Sequence, residues 1–337
     1  MPQSGVTQPD PLPRVAAALA ARSELLHSDH TDALRLFNGH LEGDARFVID
    51  RYGSSVVIFH DGDEAHSAVP PLVELVRDAL PSVTTVITKA RRGSDAARRG
   101  QVVELADGAR PATSVREDGV RYAVDLLMHQ DAGFYLDTRE LRRWLRHTSN
   151  GRHVLNTFAY TGSLGVAAQA GGAARVVHTD LNRRYLNVAK TSATLNGFAV
   201  DRRDYRSRDF YAFVRAARLS NERFDTVILD PPFFSSTDGG RLDLNRDSAR
   251  LINKVRPLVR DGGQLVVVNN ALFVSGSEFM RELEALCEGG WLRIDTHIDV
   301  PSDITGFAHT RVGALPVDPT PFNHSTKIAV LTVRHRS

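Results

Sequence analysis

From about residue 130 to the C-terminus, short β-branched runs alternate with longer runs of helical period, and this alternation limits the fold more than any other feature. Strand-like runs fall at residues 154–158, 175–179, 224–229 and 264–268, with a weaker one near 201–205. Helical spacing fits residues 163–170, 183–195, 210–219, 247–259 and 277–286. Strands separated by helices cannot pair as tight hairpins, so the pattern predicts a parallel sheet with helices on both faces, an α/β architecture. The last two strand-like runs, 292–300 and 327–333, have no convincing helix between them. They predict an antiparallel pair at the sheet edge.

The N-terminal part reads differently. Residues 1–13 hold four prolines with Gln, Ser and Gly, the composition of a disordered tail. Residues 14–27 look helical; Arg14 and the alanine-rich run after it imitate a secretion signal, but the run is short and suits an amphipathic helix better. Strand-like runs follow at 34–37, 46–50 and 55–60, then a helix at 69–80 and a strand at 83–88. These predict a small α+β domain over residues 14–112. Asp118-Gly119, between alternating apolar residues, predicts a hairpin in the connecting stretch 113–129, leaving 130–337 as the larger domain.

A chain of 337 residues suits two domains, and 42% hydrophobic residues supply ordinary cores. No apolar stretch is long enough to cross a bilayer. The single cysteine, Cys287, excludes an internal disulfide and any multi-cysteine metal site, and suits a cytoplasmic setting. The serines and 13 histidines show no spacing tied to a nucleophile or a metal, so hydrolase readings fare poorly. A net charge of +2 does not announce a nucleic-acid binder. One cluster does hint at a phosphate backbone: Lys89, Arg91, Arg92, Arg98 and Arg99, opposed in sequence only by Asp95. A solvated loop explains it equally well.

Ligands of open α/β sheets bind beyond the carboxyl ends of the strands. After the first predicted strand, Gly162 permits close backbone approach and Ser163 opens a helix whose N–H groups suit a carboxylate; a plain tight connection is the alternative. Three spaced glycines are missing, so a pyrophosphate cradle, and with it a nicotinamide enzyme, is poorly supported. Asp180 ends the next strand, where it can accept ribose hydroxyls or cap the following helix. Asp209-Phe210 can meet a purine amino group and ring face, or again cap a helix. Asp230-Pro231-Pro232-Phe233 ends the fourth strand. Its prolines leave carbonyls unpaired, and Phe233 or Phe234 can stack on a base; an aromatic-packed strand stop is the alternative. Phe134, Tyr135, Asp137 and Arg139 read from sequence as a helix start with an aromatic staple.

These segments together resemble a known family, the class I S-adenosylmethionine-dependent methyltransferases acting on bases of large-subunit (23S) ribosomal RNA. Arg35-Leu36-Phe37-Asn38-Gly39 and Val48-Ile49-Asp50-Arg51-Tyr52-Gly53 look like their small central α+β domain. Gly133 to Arg139 looks like their Gly-Phe-Tyr-Leu-Asp-Thr-Arg motif, and Asn156 to Ser163 and Asp230 to Phe233 look like their cofactor and catalytic loops. The resemblance implies a Rossmann-like sheet, mostly parallel with an antiparallel last strand, and S-adenosyl-L-methionine as cofactor. It implies a cofactor pocket of Phe134, Tyr135, Asp137, Arg139, Asn156, Phe158, Ala159, Tyr160, Thr161, Gly162 and Ser163, continuing through Asp180, Leu181, Asn182, Asp209 and Phe210. Catalysis falls to Asp230, Pro231, Pro232 and Phe233, with no metal.

Two departures refine this. Many relatives carry an N-terminal RNA-binding barrel of the PUA type, and the residues before Thr31 are too few for one. Cytosine-C5 methylation needs a thiolate that adds to the ring. Relatives of that type place it just past the fifth strand, where this chain has Asn269-Asn270. That pair and Ser235-Ser236 look like the branch that methylates guanine N7. The expectation is therefore methylation of a ring nitrogen, guanine first, in 23S ribosomal RNA. The alternatives are a protein or small-molecule nitrogen, or a non-catalytic RNA-binding assembly factor that keeps the cofactor site. Ribosomal RNA is the expected partner, with a second copy of the chain as a candidate and no membrane.

Overall fold

The computed structural model describes residues 9–61, 67–128, 130–237 and 240–335. The expected tail at 1–13 falls mostly outside them, as do the Ser235 and Ser236 side chains. The chain divides into two compact units, Met1–Thr113 with Asp125–Ala132 and Gly306–Ala314, and Ser114–Val124 with Gly133–Thr305 and Leu315–Ser337. The hairpin over 115–125 thus belongs to the second unit instead of standing between two domains, and Gly306–Ala314 belongs to the first.

In the first unit, strands β1 (Ala33–Asn38), β2 (Phe47–Tyr52), β3 (Ser55–His60), β4 (Thr85–Ala90) and β5 (Gln101–Leu105) form one sheet in chain order. Helices α1 (Leu12–Ala21) and α2 (Val69–Ala79) cover one face, with Val15, Leu19, Leu72 and Val76 meeting Phe37, Ile49, Val56 and Ile58. The helix read at 14–27 is two pieces, α1 and a turn at Ser23–Leu26. At their junction Arg22 is fully buried and forms a two-pronged ion pair with Glu42 at 2.9 and 3.0 Å. Glu42 also accepts the Thr310 hydroxyl at 2.6 Å, while Val312 and Gly313 donate to the Leu41 carbonyl, which docks Gly306–Ala314 on the β1–β2 connection.

The basic cluster is less available than its sequence implies. Lys89 is fully buried, and its ammonium donates to the Asp131 carbonyl at 2.5 Å; burial lowers its pKa to about 8 against the pull of Asp131 and Asp125. Arg91 pairs with Asp61 at 3.3 Å and donates to the Ala45 carbonyl. Arg92 and Arg99 are exposed and Arg98 is half-buried. Every residue of β4 is buried between its neighbours β3 and β5, so a place in this strand, not charge, decides that Lys89 lies inside.

The second unit begins with the hairpin β6 (Ser114–Glu117) and β7 (Val120–Ala123). Asp118 and Gly119 both take positive φ, 47° and 83°, as a two-residue turn matched to strand twist requires. Helix α3 (Arg139–Thr148) follows, then β8 (His153–Thr157), α4 (Ser163–Ala170), β9 (Arg175–Asp180), α5 (Arg183–Leu195), β10 (Tyr205–Ser207), α6 (Phe210–Leu219) and β11 (Phe224–Leu229). A short antiparallel pair, β12 (Phe234–Thr237) and β13 (Gly240–Asp243), precedes α7 (Leu244–Val255), β14 (Val259–Asn269), α8 (Gly276–Cys287), β15 (Leu292–Ile298) and β16 (Lys327–Val333).

The seven-stranded sheet runs β10-β9-β8-β11-β14-β16-β15, parallel except at β16, which pairs antiparallel with both β14 and β15. Side chains alternate between the faces. Leu155, Val227, Leu229, Leu265 and Val267 meet α6, α7 and α8, while Val154, Ile228, Val266 and Val268 meet α3 and α4. Chain order reverses between β8 and β11, so the crevice characteristic of such sheets opens at the tips of these two strands.

Candidate active site at the strand tips

The turn after β8 is folded unusually tightly. Phe158 and Tyr160 hold left-handed backbone, φ 49° and 50°, a conformation costing roughly 1–3 kcal/mol per non-glycine residue, and Gly162 follows at 81°. Cross-links hold it there. Ala159 N–H donates to the Thr179 carbonyl, Tyr160 N–H to the Asp180 carboxylate at 2.8 Å, and the Thr161 hydroxyl to the Gly133 carbonyl at 2.6 Å. A Cβ on Gly162 would lie 2.3 Å from the Ala189 Cβ, and one on Gly165 would lie 2.3 Å from the His178 ring. Both glycines let α4 pack close to α5 and β9 and aim its N-terminal amides across the strand tips.

His178 belongs to that packing. It is fully buried, stacked on Tyr205 at 4.8 Å, and neither ring nitrogen has a hydrogen-bond partner among the described residues. Burial lowers its pKa to about 4. Below the ordinary value of 6.5 the unfolded chain takes up a proton that the folded chain refuses, so stability is full above pH 6.5 and falls toward pH 4. The loss should reach about 3 kcal/mol, and His178→Phe should flatten this acid limb in a plot of Tm against pH. An unchanged limb in the variant would refute the assignment.

Asp180 lies half-buried at the β9 tip, accepting from Asn182 N–H and Tyr160 N–H at 2.8 Å each. Burial raises its pKa and these backbone donors oppose the rise. Leu181 N–H is a third backbone donor to this carboxylate, and the acceptor capacity that is left suits a ribose hydroxyl. The helix cap that rivalled this reading belongs to Asn182, whose side chain accepts from Arg184 N–H at 3.0 Å. Leu181 stands 58% exposed beside Asp180, an apolar surface at the mouth of the crevice.

Asp209 is a helix cap. Its Oδ1 accepts from Tyr211 and Ala212 N–H at 3.0 and 3.2 Å, the capping role that the sequence offered as the alternative to an adenine contact. Phe210 is buried and stacks on Phe158 at 4.8 Å. Asn156 is buried one residue before the end of β8, and neither atom of its amide has a partner among the described residues. An unsatisfied buried amide at a strand tip calls for a polar ligand or water.

The segment 133–139 divides. Tyr135 is 49% exposed and lies 5.4 Å from the Tyr160 ring, itself 4.4 Å from Tyr185. Asp137 accepts the Thr326 hydroxyl at 2.7 Å. Phe134 and Arg139 turn inward, contrary to their expected cofactor contacts. Phe134 packs on Tyr122 and beneath Arg142, whose guanidinium lies 4.1 Å from the ring. Arg139 forms a buried two-pronged pair with Asp303 at 2.8 and 3.1 Å.

At the neighbouring β11 tip, Asp230 is half-buried and no described residue hydrogen-bonds it. Burial, with the nearby Asp137 charge, raises its pKa to about 7. Pro231 is buried and Pro232 exposed; Phe233 and Phe234 are 40% and 49% exposed. Parallel register sets Leu229 beside Thr157 of β8 and Val267 of β14, so this loop leaves the sheet between the β8 turn and the segment after β14. That segment carries Asn269, which accepts from Ala271 N–H, and Asn270, whose Oδ1 is buried without a partner among the described residues. Lys327, missed from sequence, is buried beside them; its ammonium donates to the Ala271 and Ser325 carbonyls at 2.9 and 2.6 Å, and burial lowers its pKa to about 8. Cys287 closes α8, which runs back from these tips for 12 residues, about 18 Å, so its thiol lies at the other end of the sheet.

The strand tips therefore offer an anion-seeking helix start, a carboxylate with acceptor capacity, an unsatisfied buried amide and an aromatic-flanked acid. An amino acid joined to an adenosine matches the first three groups. The model of the S-adenosylmethionine-dependent methyltransferase family matches residues 94–307, well over half of the chain. Among curated relatives, ribosomal RNA large subunit methyltransferase I of Erwinia tasmaniensis is 29% identical over 71% of this chain and 63% of its own length, so the chain spans under two thirds of that relative. Its namesake from Alteromonas mediterranea is 29% identical over 90% of this chain and 76% of its own length. The methyltransferase SMU.776, solved with SAH, superimposes with a TM-score of 0.81 at 22% identity, covering 98% of this chain and 83% of its own, a likeness of fold. By sequence and by fold, the chain belongs to the S-adenosylmethionine-dependent methyltransferase family.

Proposed function

We propose that this enzyme methylates a ring nitrogen of a base in large-subunit ribosomal RNA, with guanine N7 the atom that suits the site best. The cofactor supplies an electrophilic methyl group on a sulfonium. In this reading the Asn156 amide, the Thr161-Gly162 turn and the α4 amides receive the methionine end, and Asp180 receives the ribose. Tyr135 and Leu181 then flank the bound molecule. The target base enters between the β8 and β11 tips, with Phe233 or Phe234 on its face and Asp230 on its polar edge.

The observation carrying this reading is Asp230: an acid without a hydrogen-bond partner among the described residues, beside exposed aromatics, at the tip adjoining the cofactor turn. A carboxylate there accepts from the N1 and amino hydrogens of guanine. It also stabilises the positive charge that the purine gains as the N–C bond forms and the S–C bond breaks. No proton must leave N7, so no base catalyst is required. The nearest thing to the thiolate of a carbon methyltransferase, Cys287, is at the far end of the sheet. Exposed Arg183, Arg184 and Arg208, at the β9 and β10 tips, suit phosphates of a folded RNA. The names of the relatives agree in substrate class.

Mapping methylated bases in 23S ribosomal RNA from cells with and without the protein tests the proposal. One ring-nitrogen methyl group should disappear with the gene and return with the wild-type copy. Identical maps in the two strains would remove ribosomal RNA as the substrate.

A further inference from the structure

Among the described residues three phenylalanines are exposed, and all three sit at the β11 and β14 tips: Phe233, Phe234 and Phe273, the last 70% exposed. Leu272, beside Phe273, is 51% exposed. These two occupy the middle of a turn that Val274 N–H closes onto the Ala271 carbonyl, positions that ordinarily take Gly, Asn, Asp, Pro or Ser. Nothing in the turn itself requires large apolar side chains.

The turn is also held rigidly. Asn269 accepts from Ala271 N–H, and the buried Lys327 ammonium grips the Ala271 carbonyl. On the other side Ser275 and Glu278 form a reciprocal cap at the start of α8, and Gly276 N–H donates to the Asp318 carbonyl. A Cβ on Gly276 would meet the Pro319 carbonyl oxygen at 1.8 Å, so the chain passes there only as glycine. Leu272 and Phe273 are therefore displayed on a fixed base. β11 and β14 are neighbours in parallel register, about 4.8 Å apart, so this turn and the Asp230–Phe234 loop rise side by side.

We propose that Leu272 and Phe273 form a second stacking wall, which receives an unpaired base adjoining the one presented to Asp230. The inference rests on the RNA reading above and extends it: the target lies in a single-stranded stretch of at least two nucleotides, and its neighbour is held apolar face to aromatic face. Two side chains offer far too little surface for a protein partner, whose stable interfaces bury about 1,200–2,000 Å². A single base face matches them well. Stacking of this kind tolerates any base, so the wall adds affinity without fixing the neighbouring base.

Methyl transfer from labelled S-adenosylmethionine to 23S ribosomal RNA prepared from cells lacking the protein tests it, with the full chain. Phe273→Ala should raise the KM for RNA about 5- to 100-fold, as loss of one base stack implies. The kcat at saturating RNA, the S-adenosylmethionine Kd and the Tm should stay at wild-type values, since the side chain is exposed. Phe273→Trp should restore the KM. If wild-type protein methylates the RNA and Phe273→Ala has the same KM, the wall is refuted while the RNA reading stands. If KM rises but Phe273→Trp does not rescue it, the ring is not stacking and the proposal fails. If wild-type protein leaves this RNA unmodified, both readings fall together.

Discussion

Asp230→Ala should lower methyl transfer by about a hundredfold or more while S-adenosylmethionine binds with unchanged affinity. The side chain stands at the tip of β11, beyond the groups suited to the cofactor, so its removal should spare cofactor binding and misplace the target base. Two further readouts separate this role from a packing role. Asp230 has a raised pKa of about 7, caused first by burial and then by Asp137. Only the ionised form can accept through both oxygens without donating and offset the base's growing positive charge. The kcat/KM should therefore fall about tenfold per pH unit below about pH 7, and Asp230→Asn should lose that limb along with most of its activity. Stability should move the other way. A buried carboxyl whose pKa rises on folding costs stability as pH climbs from its ordinary value of 3.8 to about 7. At pH 8 Asp230→Asn should thus melt higher than wild type. A fully active Asp230→Ala, or an Asp230→Asn variant that melts lower, would count against an acid held in place for catalysis.

Glu117→Ala should cost about 3–5 kcal/mol of stability, because it leaves a buried guanidinium without its counter-charge. Glu117 on β6 grips Arg142 of α3 through both oxygens at 2.7 Å each, and also lies 3.6 Å from Arg139. Arg139 in turn holds Asp303, and all four side chains are at most 5% exposed. The domain-sized scale of 2–4 °C per kcal/mol puts the fall in Tm at roughly 10 °C. The loss should also reach the cofactor. Arg142 donates to the Tyr135 carbonyl and the Thr138 hydroxyl at 2.8 Å each, fixing the 134–139 segment against the strand tips. Weaker S-adenosylmethionine binding should therefore accompany the lower Tm, measured by calorimetry at a temperature where the variant is folded. Removing charge on both sides, with Glu117→Leu and Arg142→Met together, should recover much of the Tm, since a buried ion pair is often replaceable by packed apolar groups. A fall below 2 °C in the single variant would mean that Arg142 finds water or another acceptor.

These two sites mark where sequence reading succeeds and where it stops. Asp230 was legible because its chemistry is local: proline cannot join a sheet ladder, so two in succession fix the strand end and expose the acid before them. Arg139 was not. Its partner, Asp303, is 164 residues away, and a charge with no neighbour in sequence looks available for a ligand. Lys89 misleads for the same reason, since a basic run in sequence says nothing about which of its members a strand turns inward. The bounds of the edge strand β5 were also not legible. Gln101-Val102-Val103-Glu104-Leu105 is short and largely exposed, so it carries no alternation of buried and open positions to read.

The sequence by itself determined the main alternation of strands and helices from β8 to β16, the Asp118-Gly119 hairpin, and the acids and glycines at the strand tips. Each of these follows from backbone preferences within a few residues: period, turn geometry, caps. Only the tertiary structure decided which arginines are neutralised inside, that Lys327 pins the turn after β14, and that Phe273 faces outward at the mouth of the site. Those outcomes depend on groups brought together from distant positions, where burial and charge pairing, rather than local propensity, set the energy.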